Sequence, residues 1–216
     1  MPRKVIITIS RQLGSGGSFI GRQVAEHLRI KYVDREILHQ AASLLDENEN
    51  ELSAREERIS TFWERMVQTF CYGVPEAGYN PPPLRPVADD QLFAVESKVI
   101  RKLAESCSVV IVGRAGSQIL KGFPNLVSVF LHASKEFRIK RVMEIYNITD
   151  TRRAEEIITD SDLQRKKFVK AMTGADWSEA MNYHLCIDTE CAGFTAATEL
   201  IINLADKIRT KIQGGK

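Results

Sequence analysis

The chain has 216 residues, 44% of them apolar and 27% charged, with 30 basic side chains against 28 acidic ones. That apolar share supports one sizeable core, and the length suits a single α/β domain, 1–216, enlarged by inserts. A net charge of only +2 argues against a broad basic surface for nucleic acid and against a disordered acidic tail.

In chain order, residues 5–10 are β-branched and apolar on both faces, as a buried parallel strand requires. A glycine-rich turn follows, and then a helix over about 18–29 with Ile20, Val24 and Leu28 on one stripe. Tyr32-Val33 is a short strand ending at Asp34, and residues 35–45 read as a helix. Residues 46–70 are charged but helically periodic, and 72–86, with Pro81-Pro82-Pro83, form a Gly/Pro-rich loop. A helix over 87–106 returns the chain to a buried strand at 109–112, which runs into Gly113-Arg114. Then come a strand at 126–131, a helix at 134–146 and a charged helical pair at 149–173. A strand at 185–188 and a closing helix at 194–212 finish the chain, with Ala197, Leu200, Ile201, Leu204 and Ile208 facing inward. Strands alternating with helices predict an α/β fold with a mainly parallel five-stranded sheet. Two helical inserts, at about 46–86 and 149–173, could act as lids.

The four cysteines, Cys71, Cys107, Cys186 and Cys191, form no CxxC pair, so no zinc or redox motif is expected. Cys107 and Cys186 lie in or beside apolar runs and read as buried thiols of a reducing compartment. Trp63, Phe168 and Trp177 read as packing residues, and the four histidines are scattered. No apolar run approaches the ~18 residues of a membrane helix. The first strand has no leucine-rich signal core, so a cytoplasmic protein without a membrane or nucleic-acid partner is expected.

The strongest chemical signal is the run Ser10-Arg11-Gln12-Leu13-Gly14-Ser15-Gly16-Gly17-Ser18 between a strand and a helix. Such a turn aims successive backbone N–H groups at one spot, and the helix dipole adds positive character there, making a phosphate cradle. The run does not match GxxxxGK[ST]: with the loop directly after the strand, Gly17 takes the place of the lysine and Ser18 that of the hydroxyl residue. The lysine's charge must then come from elsewhere, and Arg11 at the mouth of the loop is the nearest source.

The order of motifs resembles the cytidylate-kinase-like branch of the P-loop nucleoside monophosphate kinases. The carrying segments are Ser10–Gly17 with Ile20-Gly21, Tyr32-Val33-Asp34-Arg35-Glu36, Val110-Ile111-Val112-Gly113-Arg114, Arg138-Ile139-Lys140-Arg141-Val142, Asp162-Leu163-Gln164-Arg165 and Tyr183–Thr189. The resemblance implies a three-layer P-loop NTPase fold, with the 46–86 insert binding the acceptor and the 149–173 insert forming the lid. It implies ATP and Mg²⁺ as cofactors and a small nucleotide, most simply a cytidylate-like monophosphate, as substrate. Gly14, Ser15, Gly16, Gly17 and Ser18 would hold the donor phosphates, with the Ser18 hydroxyl on the metal or else capping the helix. Asp34, Arg114 and Asp162 would face the acceptor, although Asp34 could equally be a helix N-cap and Asp162 could simply pair with Arg165. Arg11, Arg138, Arg141 and Arg165 would carry positive charge to the travelling phosphoryl group, the alternative for Arg138 being a solvated basic face. Asn182-Tyr183 and Thr189 would flank the donor base. The chain departs from the family pattern with Ala115 after Arg114 and with Ile158-Thr159 where a first Arg-Asp would fall. Two other readings stay open: a nucleotide-binding regulator without turnover, and a kinase for a non-nucleotide small molecule.

Overall fold

The computed structural model describes residues 4–34, residue 38 and residues 90–211. The 46–86 insert, Trp63, Cys71 and His39 lie outside the described residues.

Five strands form one parallel sheet: β1 (Ile6–Arg11), β2 (Lys31–Val33), β3 (Val109–Val112), β4 (Leu126–His132) and β5 (Leu185–Asp188), in the order β2-β3-β1-β4-β5. Every pairing is parallel, so the sheet is wholly rather than mainly parallel. The central strands are apolar on both faces because helices cover both. Helix α1 (Gly17–Leu28) packs against the last helix, while α2 (Asp90–Ser106) and the short α3 (Gly116–Ile119) pack together on the face where α3 meets β1. The remaining helices are α4 (Lys135–Tyr146), α5 (Thr151–Thr173) and α6 (Thr189–Lys211). Ile7, Ile9, Ile111, Leu131 and Ile201 are fully buried between these layers.

Local chemistry sets the helix boundaries. Ser134 caps α4 by accepting a hydrogen bond from the Phe137 N–H, and Asp150 caps α5 by accepting one from the Arg152 N–H. Asn147, in the left-handed conformation at φ 53°, ends α4. The expected helical pair within 149–173 is therefore one helix of 23 residues whose antiparallel partner is α4. Val142, Ala154 and Ile158 form a small core of their own between α4 and α5.

Three further expectations are corrected. Leu200 is 46% exposed, because the inward stripe runs through Ala197, Ile201 and Ala205, each fully buried, and Leu200 sits one position, about 100°, off that line. Cys186 is exposed and Cys107 only half-buried, because β5 is an edge strand and Cys107 follows the end of α2. Helix α3 was not anticipated; it starts directly after the loop at Gly113.

Candidate functional site at the carboxyl ends of β1, β2 and β3

In a parallel sheet the carboxyl ends of all strands lie along one edge, where ligands bind next to the switch in strand order. Arg11 ends β1, Asp34 follows β2, and Gly113-Arg114 follow β3, so topology brings these three sequence candidates to one edge. The register pairs Ile9 with Val112, so Arg11 extends two residues beyond the last pairing with β3 and lies beside Gly113.

The glycine-rich loop is built as a cradle. Gln12 N–H donates to the Leu131 carbonyl at 3.0 Å, and Gly16 takes a left-handed conformation (φ 78°) as the N-cap of α1. The first bond of the helix runs from Ile20 N–H to the Gly16 carbonyl at 2.9 Å. The N–H groups of Gly17 and Ser18 precede it and belong to the donors that a helix N-terminus offers to an anion. Two expectations change here. Ser18 is not the helix cap, since Gly16 is. Ser15 is wholly buried, with its hydroxyl donating to the carbonyls of Gln12 (2.9 Å) and Leu131 (3.2 Å) and its N–H directed at Gln12 (3.3 Å). It shapes the loop, leaving the later positions to offer donors.

The side chain of Arg11 crosses this cradle. A Cβ on Gly17 would lie 2.5 Å from Arg11 Cγ and 2.8 Å from its Cβ, so only glycine fits there. The guanidinium ends at Gly113, where a Cβ would overlap Nη1. Among the described residues the Arg11 guanidinium has no hydrogen-bond or ion-pair partner. Its neighbour Tyr32 is buried under α1, with the Arg22 guanidinium 5.4 Å from the ring centre. Burial, reinforced by the Asp34 carboxylate, pushes the Tyr32 phenol up to about 12, while Arg11, Arg22 and the Ser18 hydroxyl pull the other way. The Asp34 carbonyl accepts from Leu38 N–H at 3.0 Å, and the Asp34 carboxylate lies near enough to Tyr32 to act on its phenol.

Arg114 is differently placed. Gly113, Arg114 and Ala115 are all left-handed, at φ 87°, 52° and 55°. Non-glycine residues held there carry strain of about 1–2 kcal/mol each. The turn directs Arg114 onto Glu96 of α2, with which it forms an ion pair, and onto the Phe168 ring of α5, 4.7 Å from its centre. Glu96 is 0% exposed. Sequence reasoning missed it; the available signal was a carboxylate on the apolar stripe of α2, beside Val99 and Ile100, where a buried charge needs a partner. Phe168 packs as expected and also stacks on this arginine.

Arg141 lies over the Phe194 ring at 4.3 Å, and Phe194 closes on Gly16, where a Cβ would be 2.6 Å from its Cε1. Arg138 is buried, excluding the solvated-face reading, and donates to Asp162 at 2.6 Å, while Arg165 donates to the same carboxylate at 3.1 Å. Tyr183 is buried against Phe130 and donates to the Trp177 carbonyl (2.7 Å), and Thr189 donates to the His132 carbonyl (3.1 Å). Both are tied into the core. Among the described residues no group of three or more His, Cys, Asp and Glu could hold a metal, and no helix is long and apolar enough to cross a membrane.

The sheet order, the cradle and the arginines at one edge define the fold of the P-loop kinases. The model of the cytidylate kinase-like family matches residues 6–191, and the chain belongs to that family. An uncharacterized protein from Eubacterium ventriosum has a similar structure, with TM-score 0.70 and 26% identity over 94% of this chain and 99% of that one. A gluconokinase from Sinorhizobium meliloti shares the fold, with TM-score 0.53 and 16% identity over 99% of this chain and 100% of that one. No curated protein matches the chain in sequence. Family and fold support a phosphotransferase acting on a small molecule.

Proposed function

We propose that the chain transfers the γ-phosphoryl group of ATP to a small nucleotide, with a pyrimidine monophosphate of the cytidylate class as acceptor. The observation that carries this reading is Arg11: its side chain fills the space beside Gly17, the position a P-loop gives to lysine, and its guanidinium has no protein partner among the described residues. Phosphoryl transfer asks little covalent chemistry of a protein; it needs alignment and positive charge around the moving group.

The N–H groups of Gly16, Gly17 and Ser18 would bind the donor phosphates, and the Ser18 hydroxyl, in the first turn of α1, fits a Mg²⁺ ligand. Bound Mg·ATP would supply the phosphoryl group and a divalent charge. Arg11, beside Gly17, would add positive charge toward the phosphate oxygens, and Arg141 and Arg165 would add theirs from the α4–α5 side. Asp34 and Arg114, at the ends of β2 and β3, face the acceptor, with Glu96 and Phe168 fixing the Arg114 guanidinium. Family membership supports the cytidylate class of acceptor.

A coupled assay with Mg·ATP over a panel of nucleoside monophosphates tests the reading. Turnover is expected and is highest with a pyrimidine monophosphate. ATP binding without transfer to any of them would replace it with the regulatory reading.

A further inference from the structure

Leu13, at the entrance to the phosphate loop, is gripped by the α4–α5 pair in three ways. Its N–H donates to Asp162 Oδ1 at 2.9 Å. Its carbonyl accepts from Arg138 Nη1 at 3.3 Å, and the same nitrogen donates to Asp162 Oδ2 at 2.6 Å. Its side chain packs into the small core of Val142, Ala154 and Ile158 between the two helices. The next residue closes the fit, since a Cβ on Gly14 (φ 85°) would lie 2.9 Å from both Cβ and the carbonyl oxygen of Arg138. The Arg138 and Asp162 side chains are only 8% and 17% exposed, so their charges are little screened by water.

We propose that Arg138 and Asp162 are positioning residues that latch the α4–α5 pair to the phosphate loop through both backbone polar groups of Leu13. Their charged atoms are engaged with the loop backbone rather than turned to an acceptor. The cradle and the helices carrying Arg141 and Arg165 therefore form one preassembled unit, and Asp162 sets the loop geometry that the donor meets. Arg165, held by Asp162 at 3.1 Å, is oriented by the same carboxylate. This assignment rests on the phosphoryl-transfer reading for its functional consequence, and on the Leu13 contacts alone for the latch.

Two measurements on Asp162→Ala and Asp162→Asn test it. The first is amide hydrogen exchange along the chain. Loss of the latch should speed exchange of residues 12–16 by about tenfold or more while amides of β1 and β4 keep their rates. Asp162→Asn keeps an oxygen for the Leu13 N–H, so it should fall between wild type and alanine, and it covers an alanine variant that fails to fold. The second is calorimetric binding of Mg·ATP with no acceptor present, which should weaken about tenfold in the alanine variant. Unchanged exchange at 12–16, or a rise shared equally by β1 and β4, would overturn the latch. Unchanged ATP affinity with only the acceptor KM raised would overturn the positioning role in favour of direct acceptor contact. A wild-type chain that bound no ATP would overturn the donor-site reading, and the exchange data would still decide the latch.

Discussion

Arg11 and Gly17 share one space: the arginine side chain lies where any side chain on Gly17 would begin, 2.5 Å from its Cβ position. On the proposed phosphoryl-transfer reading, the missing lysine and the arginine at the loop mouth are one feature, with the cation delivered from the end of β1 instead of from the first turn of α1. Gly17→Ala should displace Arg11 and lower kcat. Arg11→Ala should cost about 2–4 kcal/mol of transition-state stabilisation, comparable to removing one preorganised donor. Arg11→Ala with Gly17→Lys, which vacates the space and restores the lysine, should recover at least roughly tenfold in kcat/KM over Arg11→Ala alone, the equivalent of ~1.4 kcal/mol. Steady-state kinetics of the variants checks this.

Gly113 bounds the same arginine from the other side. It holds φ 87°, and a Cβ there would overlap the guanidinium. Gly113→Ala is expected to reproduce the kinetic loss of Arg11→Ala, and the two losses should not add, because both remove the same placed charge. A double-mutant cycle in kcat/KM reads this directly; full additivity would separate the two residues.

The Arg114–Glu96 pair is enclosed, whereas Arg153–Glu156 on α5 is 64% and 63% exposed. Glu96→Ala removes the carboxylate from a largely buried guanidinium and should destabilise the fold by about 3–5 kcal/mol. Glu156→Ala should change stability by about 0.5 kcal/mol or less. Urea denaturation of the two variants compares them on one scale.

Tyr32 gives a pH signature. Its phenol titrates at about 12 in the folded chain against an ordinary 10, so the native state holds its proton where the unfolded chain has lost it. The contribution is fully present below pH ~10 and is lost as pH rises toward ~12. Wild-type stability should therefore fall more steeply than that of Tyr32→Phe across that interval, by on the order of 2 kcal/mol in total. Parallel slopes would contradict the shift.

Much of the fold was legible because its signals are local. Val109–Val112 and Leu185–Asp188 matched their strands, and β-branched runs apolar on both faces announced a parallel sheet. The glycine-rich run likewise marked the turn between β1 and α1. Partners distant in sequence were not legible. Nothing near Arg114 points to Glu96, 18 residues earlier, and nothing near Asp162 points to the Leu13 N–H, 149 residues away. Those contacts are set by how α2 and α5 dock on the sheet, and that docking decides whether a charged side chain faces a ligand or another residue. The motif order identified the arginines; packing separated Arg11, without a protein partner among the described residues, from Arg138, bound to Asp162 and Leu13.

The central claim is that Arg11 does the work of the P-loop lysine in phosphoryl transfer. Single-turnover transfer of the γ-phosphoryl group from Mg·ATP to CMP, in wild type and Arg11→Ala, tests it most directly. Transfer by wild type and a loss of about 10²–10³-fold in the variant is the predicted result. Equal rates in the two proteins, or no transfer by wild type, would contradict it.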